Sequence, residues 1–119
     1  MTFRRGDLSS VRHWVRRAAR DVGLTEDRTD DIVLAVSELA ANSVDHGGGS
    51  GSVRAWGEAG AFVVEVEDEG HIADPLAGLR TPGPDQLRGR GLWMVNQLAD
   101  RVHLRSTPAG TTARVVAFV

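Results

Sequence analysis

The sequence predicts an α+β domain, a two-layer sandwich with helices covering one face of a mostly antiparallel sheet. Three observations carry that expectation. The periodic segments run helix, helix, strand, strand, connector, helix, strand, strand, which is more helix than βαβ crossovers require. The strands fall into two apparent hairpins. A chain of 119 residues suits one domain, residues 1–119, with a single core.

Each element has its own signal. Val11, Trp14, Val15, Ala18, Ala19 and Val22 recur at steps of three and four, predicting an amphipathic helix over residues 9–22 closed by Gly23. Arg12, Arg16, Arg17 and Arg20 read as its solvated face, with a partner-binding role as the alternative. Thr25 offers an N-cap oxygen, and Glu26 and Asp27 put negative charge on the first turn of a second helix reaching about Asp45. The Gly/Ser-rich stretch from His46 to Gly51 ends it in a flexible turn.

Residues 52–56 and 61–68 read as strands of a hairpin, separated by Gly57-Glu58-Ala59-Gly60. In the second strand Phe62, Val64 and Val66 alternate with Val63, Glu65 and Glu67, so one face is apolar and the other becomes polar along its length. The next segment, to Arg88, holds three of the four prolines and little periodicity, as mobile lids and binding segments do. A third helix is expected from about Gly91, with Leu92, Val95, Leu98, Ala99 and Val102 as its buried stripe. A run at 102–105, a Pro-Ala-Gly turn and a strand over 112–119 complete the chain.

Composition excludes several chemistries. All 14 basic residues are arginine, so a P-loop lysine, the strand lysine of eukaryotic-type protein kinases and Schiff-base catalysis are ruled out. Without cysteine there is no thiol nucleophile, disulfide or thiolate zinc site, which suits a reducing cytoplasm. The four histidines show no metal-ligand spacing. A net charge of -2 gives no footprint for nucleic acid, no apolar run approaches the ~20 residues of a membrane span, and the polar N-terminal stretch does not read as a signal peptide.

The second helix carries the first candidate site. On a wheel of ~100° per residue, Asn42 and Asp45 fall beside Glu38, while Ile32, Val36, Leu39, Ala40 and Ser43 cluster opposite. Leu34, Ala35 and Ala41 share the Glu38 side, so the helix is apolar nearly all round except for a carboxylate and an amide. Either Glu38 and Asn42 lie on an ordinary solvated face, or Glu38 is a general base and Asn42 an oxygen ligand for magnesium one turn away. His46 is a C-terminal dipole partner or a functional group.

Asp68-Glu69-Gly70 is a strand-end turn, or Asp68 accepts from an exocyclic amine with Gly70 letting a ring approach the backbone. Gly89-Arg90-Gly91-Leu92 reads as a helix entrance whose free amides point at an anion, and with lysine absent Arg88 and Arg90 are the first basic side chains to consider for phosphate. Gly110-Thr111-Thr112 is a hairpin turn, or brings a hydroxyl to a base edge.

Taken in order, E-L-A-A-N-S-V-D-H-G (Glu38 to Gly47), D-E-G (Asp68 to Gly70), G-R-G-L (Gly89 to Leu92) and G-T-T (Gly110 to Thr112) resemble the GHKL or Bergerat ATPase family over essentially the whole chain. The closest branch looks like the anti-sigma-factor serine kinases of the RsbW type. The resemblance implies ATP bound between the helices and a lid at about residues 70–90, with Glu38 as general base and Asn42 binding magnesium. Asp68 would take the adenine amine beside Gly70, Gly89, Arg90, Gly91 and Leu92 would line the phosphates, and Thr111 would sit near the adenine. It implies phosphoryl transfer to a serine of an anti-anti-sigma (STAS-type) protein, sequestration of a sigma factor, and a homodimer. The alternatives are a non-catalytic ATP-binding anti-sigma module, the ATP-binding domain of a sensor histidine kinase, or part of a larger regulator. One departure is that Ile72, preceded by His71, stands where the family's D-x-G-x-G has its second glycine.

Overall fold

A computed structural model of the chain describes residues 1–70 and 87–119, and from position 92 onward the side chains of the second part. A short strand β1 (Thr2–Arg4) and a 3-10 turn (Arg5–Asp7) precede α1 (Leu8–Val22) and α2 (Glu26–His46). The hairpin β2 (Ser50–Glu58) and β3 (Ala61–Asp68) follows, then α3 (Leu87–Leu98) and the hairpin β4 (Arg101–Thr107) and β5 (Gly110–Phe118). The strands form one sheet in the order β1-β2-β3-β5-β4, every neighbouring pair antiparallel.

The helices begin and end where their capping chemistry directs. Gly23 closes α1 at φ 95°, its N–H reaching Ala19 and Arg20 carbonyls. Thr25 accepts from the Arg28 N–H at 3.3 Å and opens α2. Arg16 pairs with Asp30 at 2.7 Å and Arg20 with Glu26 at 3.0 Å, so part of the arginine face of α1 clips onto α2, and Arg5 of the 3-10 turn pairs with Asp45 at 2.8 Å. These pairs are largely exposed, so solvent screens them and they add little to stability.

Packing of the two layers stabilises the fold more than these pairs do. Val11, Val15 and Ala19 of α1, Ile32, Val36, Leu39 and Ala40 of α2, and Val95 of α3 meet Val53, Phe62, Val64, Val66, Val115 and Ala117 of the sheet, all buried. A fully buried Val or Phe in such a layer contributes about 1.5–3 kcal/mol.

Several expectations change. β1 was not anticipated; its Phe3 is fully buried and faces Gly51. The first hairpin turns on two residues, Ala59 and Gly60, both at positive φ, so β2 extends through Glu58. β5 begins at Gly110, which places Thr111 inside the ladder opposite Asp68. Glu65, on the face of β3 that becomes polar, is only 8% exposed: Arg54 and Arg114 on the flanking strands bond its two carboxylate oxygens at 2.7 and 3.0 Å.

The third helix also starts earlier than expected, at Leu87, so Gly89, Arg90 and Gly91 lie within it instead of before it. The four amides at a helix start that lack intrahelical acceptors run from the N-cap to the third helical residue, so Gly89 keeps a place among them, while Arg90 and Gly91 come after them. Val102 belongs to β4, because α3 stops at Leu98. The expected lid at about residues 70–90, His71 and Ile72 included, falls mostly outside the described residues; at its ends the Gly70 N–H bonds Asp68 and residues 87–90 are helical.

Candidate functional site

The site forms where the C-terminal half of α2 lies over the end of β3. Asp68 ends β3 as a buried carboxylate, 8% exposed, and among the described residues no arginine pairs with it. Its charge is met by hydrogen bonds. The Ser43 hydroxyl donates to Oδ2 at 2.7 Å from the helical layer, and the Gly70 N–H donates to Oδ1 at 2.7 Å from the turn that follows the strand.

Close backbone approach makes this enclosure. A Cβ on Gly47 would lie 2.4 Å from Cγ and Oδ2 of Asp68, and one on Gly110 would lie 2.6 Å from the Asp68 carbonyl oxygen. Any side chain at either position would displace Asp68 or its strand. The glycine that ends α2 therefore also serves the carboxylate.

Thr111, opposite Asp68 in the β3–β5 register, is buried and donates to the Gly70 carbonyl at 2.7 Å. With its one proton committed there, Thr111 accepts from the Ser106 hydroxyl at 2.8 Å. The chain Ser43, Asp68, Gly70, Thr111, Ser106 thus ties α2, β3, β5 and β4 into one polar network.

Asn42 and Leu92 complete the wall. They enclose a cavity with Leu39, Ser43, Val66, Asp68, Leu104, Thr111 and Ala113. Its volume is about 10 Å³, room for one water, so a purine enters only if the wall moves outward. The Asn42 side-chain nitrogen is buried and has no hydrogen-bond partner among the described residues. An orphaned buried amide costs about 1–3 kcal/mol, and turning the amide over presents its oxygen instead. That donor set fits a magnesium ion, which takes few protein oxygens and keeps several waters.

Glu38 stands one helical turn before Asn42, half-buried, and makes no hydrogen bond or ion pair among the described residues. Asp45, its neighbour on the wheel, instead bonds Arg5 on the exposed surface. His46 is exposed at the end of α2.

The structure thus brings Asn42, Asp68, Gly70, Leu92 and Thr111 together, with Glu38 adjacent along α2. Gly89, Arg90 and Gly91 share the first turns of α3. Sequence reasoning missed Ser43 and Ser106. Ser43 carried a usable signal, because a hydroxyl on the apolar side of a helix needs a buried partner.

Comparison with known proteins agrees with this architecture. A family model described as the histidine kinase-like ATPase domain matches residues 1–117. No curated protein matches the sequence closely. Among solved structures, the RsbU and RsbW domains of Rv1364c from Mycobacterium tuberculosis match with a TM-score of 0.71 and 22% identity, over 99% of this chain and 32% of that one. The chain therefore spans about a third of that structure's length.

The histidine kinase domain of a blue-light activated kinase from Erythrobacter litoralis matches with a TM-score of 0.62 and 19% identity, over 94% of this chain and 63% of that one. The SiaB-SiaC complex from Pseudomonas aeruginosa matches with a TM-score of 0.61 and 17% identity, over 98% and 88%. At these identities the likeness establishes the shared fold. No helix among the described residues is long and apolar enough to cross a membrane. With the family model spanning all but the last two residues, the chain belongs to the histidine kinase-like ATPase domain family.

Proposed function

We propose that this chain binds ATP with magnesium between α2 and the end of β3 and passes the γ-phosphoryl group to a serine of a protein partner, as an anti-sigma kinase of the RsbW type. The partner is an anti-anti-sigma protein of STAS type, and a sigma factor is the second protein held. The observation that carries the reading is Asn42, whose buried side-chain nitrogen has no partner among the described residues and which lines the same cavity as Asp68 and Thr111, one turn from Glu38. Membership in an ATPase family and the RsbW-like fold support it.

In this mechanism Asp68 and Thr111 hold the base. Asn42 holds magnesium, which when bound offsets phosphate charge. The first-turn amides of α3, Gly89 among them, face the phosphates, and Arg90 supplies positive charge beside them. Glu38 takes the proton of the serine hydroxyl as its oxygen bonds to the γ-phosphorus and the bond to the ADP oxygen breaks. Such a reaction asks the protein mainly for positioning and charge stabilisation.

The test is incubation with labelled ATP, magnesium and candidate anti-anti-sigma proteins. Phosphoserine should form with the wild-type chain and fall by at least about 100-fold in Glu38→Gln, consistent with loss of a general base. Nucleotide binding should survive that change. ATP binding without serine phosphorylation would leave a non-catalytic anti-sigma module, and acid-labile phosphohistidine would place the chain with the sensor kinases.

A further inference from the structure

The resemblance gives Ser43 no role, yet its hydroxyl is the shortest side-chain contact of Asp68. We propose that Ser43 is the positioning residue that makes Asp68 selective for a 6-amino purine over a 6-keto purine; this rests on the nucleotide reading of the site.

Ser43 is 1% exposed and has one hydroxyl proton for two acceptors, the Leu39 carbonyl at 3.1 Å and Asp68 Oδ2 at 2.7 Å. The shorter, charged acceptor takes the proton. The Gly70 N–H occupies the other carboxylate oxygen, so the plane of the group is fixed from both sides. An ionised carboxylate only accepts, and the lone pairs left over face a cavity shared with Asn42, Thr111 and Leu92.

An accept-only edge matches an exocyclic amino group and repels a keto oxygen. Without the Ser43 donor, Oδ2 loses its hydrogen bond and only the Gly70 N–H still holds the group. The accepting edge is then free to turn away from an amino group. Ser43 therefore decides which purine edge the site recognises by holding the accepting oxygens of Asp68 toward the cavity.

The test is calorimetric titration of the full chain with magnesium ATP and magnesium ITP, which differ at the 6-position. Wild type should prefer ATP, and Ser43→Ala should lower the ATP-to-ITP affinity ratio about tenfold or more, the range for one hydrogen bond to a charged group. Ser43→Thr should restore the ratio, and Ser43→Cys, a weak donor of similar shape, should fall between. A purely structural role would weaken both nucleotides alike. A selective wild type with an unchanged ratio in Ser43→Ala overturns the inference and leaves the nucleotide reading intact. A folded wild type that binds neither nucleotide overturns that reading itself.

Discussion

Replacing Gly47 by alanine perturbs the site through one added carbon. The three atoms nearest to that Cβ all belong to the Asp68 carboxyl group, at 2.4, 2.4 and 2.7 Å, well inside van der Waals contact. Gly47 itself has φ -110° and ψ 26°, which alanine adopts without strain, so the effect is steric. The carboxylate must move, and it is pinned by Ser43 and Gly70. Losing one of those charge-assisted bonds costs about 1.5–3 kcal/mol. Straining the other adds to this, and the stiffer unfolded chain returns about 0.4–1 kcal/mol. A net loss of about 1–3 kcal/mol is expected.

Urea denaturation of wild type, Gly47→Ala, Asp68→Ala and the double variant measures it. In the Asp68→Ala background the new methyl meets no carboxylate, so its cost should shrink to below about 0.5 kcal/mol, giving a coupling of at least about 0.5 kcal/mol. Equal costs in the two backgrounds would refute the proposed contact, as would a Gly47→Ala protein within about 0.5 kcal/mol of wild type.

Other expectations concern charge and metal. The Phe118 N–H, with help from Arg28, holds the Asp100 carboxyl below its ordinary range. A depressed folded value means that the stabilisation is present above the unfolded value and is lost as pH falls through the folded one. Acid denaturation of Asp100→Asn should lose that component, with a shallower decline in acid than wild type; identical pH profiles would leave Asp100 with no part in acid stability. Asn42→Ala should cost less than about 1 kcal/mol of stability, because it removes an orphaned donor, while abolishing the gain in nucleotide affinity that magnesium gives. A retained magnesium dependence by calorimetry would exclude Asn42 as the ligand.

The fold was legible where signals were local. The αL glycine after α1, the Thr25 cap and the alternation in β3 depend on neighbouring residues, and those elements stand where the pattern puts them. β1 was hidden because three residues carry no period and pair with β2 some 50 positions away. The burial of Glu65 could not be read from β3 alone, because its partners, Arg54 and Arg114, come from two other strands. In the site, the motif residues Asn42, Asp68 and Thr111 were readable one by one, whereas their connection through Ser43 and Ser106 depends on packing α2 against β3 and β4 against β5. The start of α3 was placed late because the glycines in G-R-G suggested a loop, although glycine is tolerated within a helix at a cost of about 1 kcal/mol.

The most direct test of the nucleotide site is calorimetric titration of the wild-type chain and Asp68→Asn with magnesium ATP. Saturable binding of one nucleotide per wild-type chain, weakened at least about tenfold in Asp68→Asn, is the predicted result. A folded wild type that shows no binding, or equal affinity in the two proteins, would contradict the assignment of the α2–β3 cluster as that site.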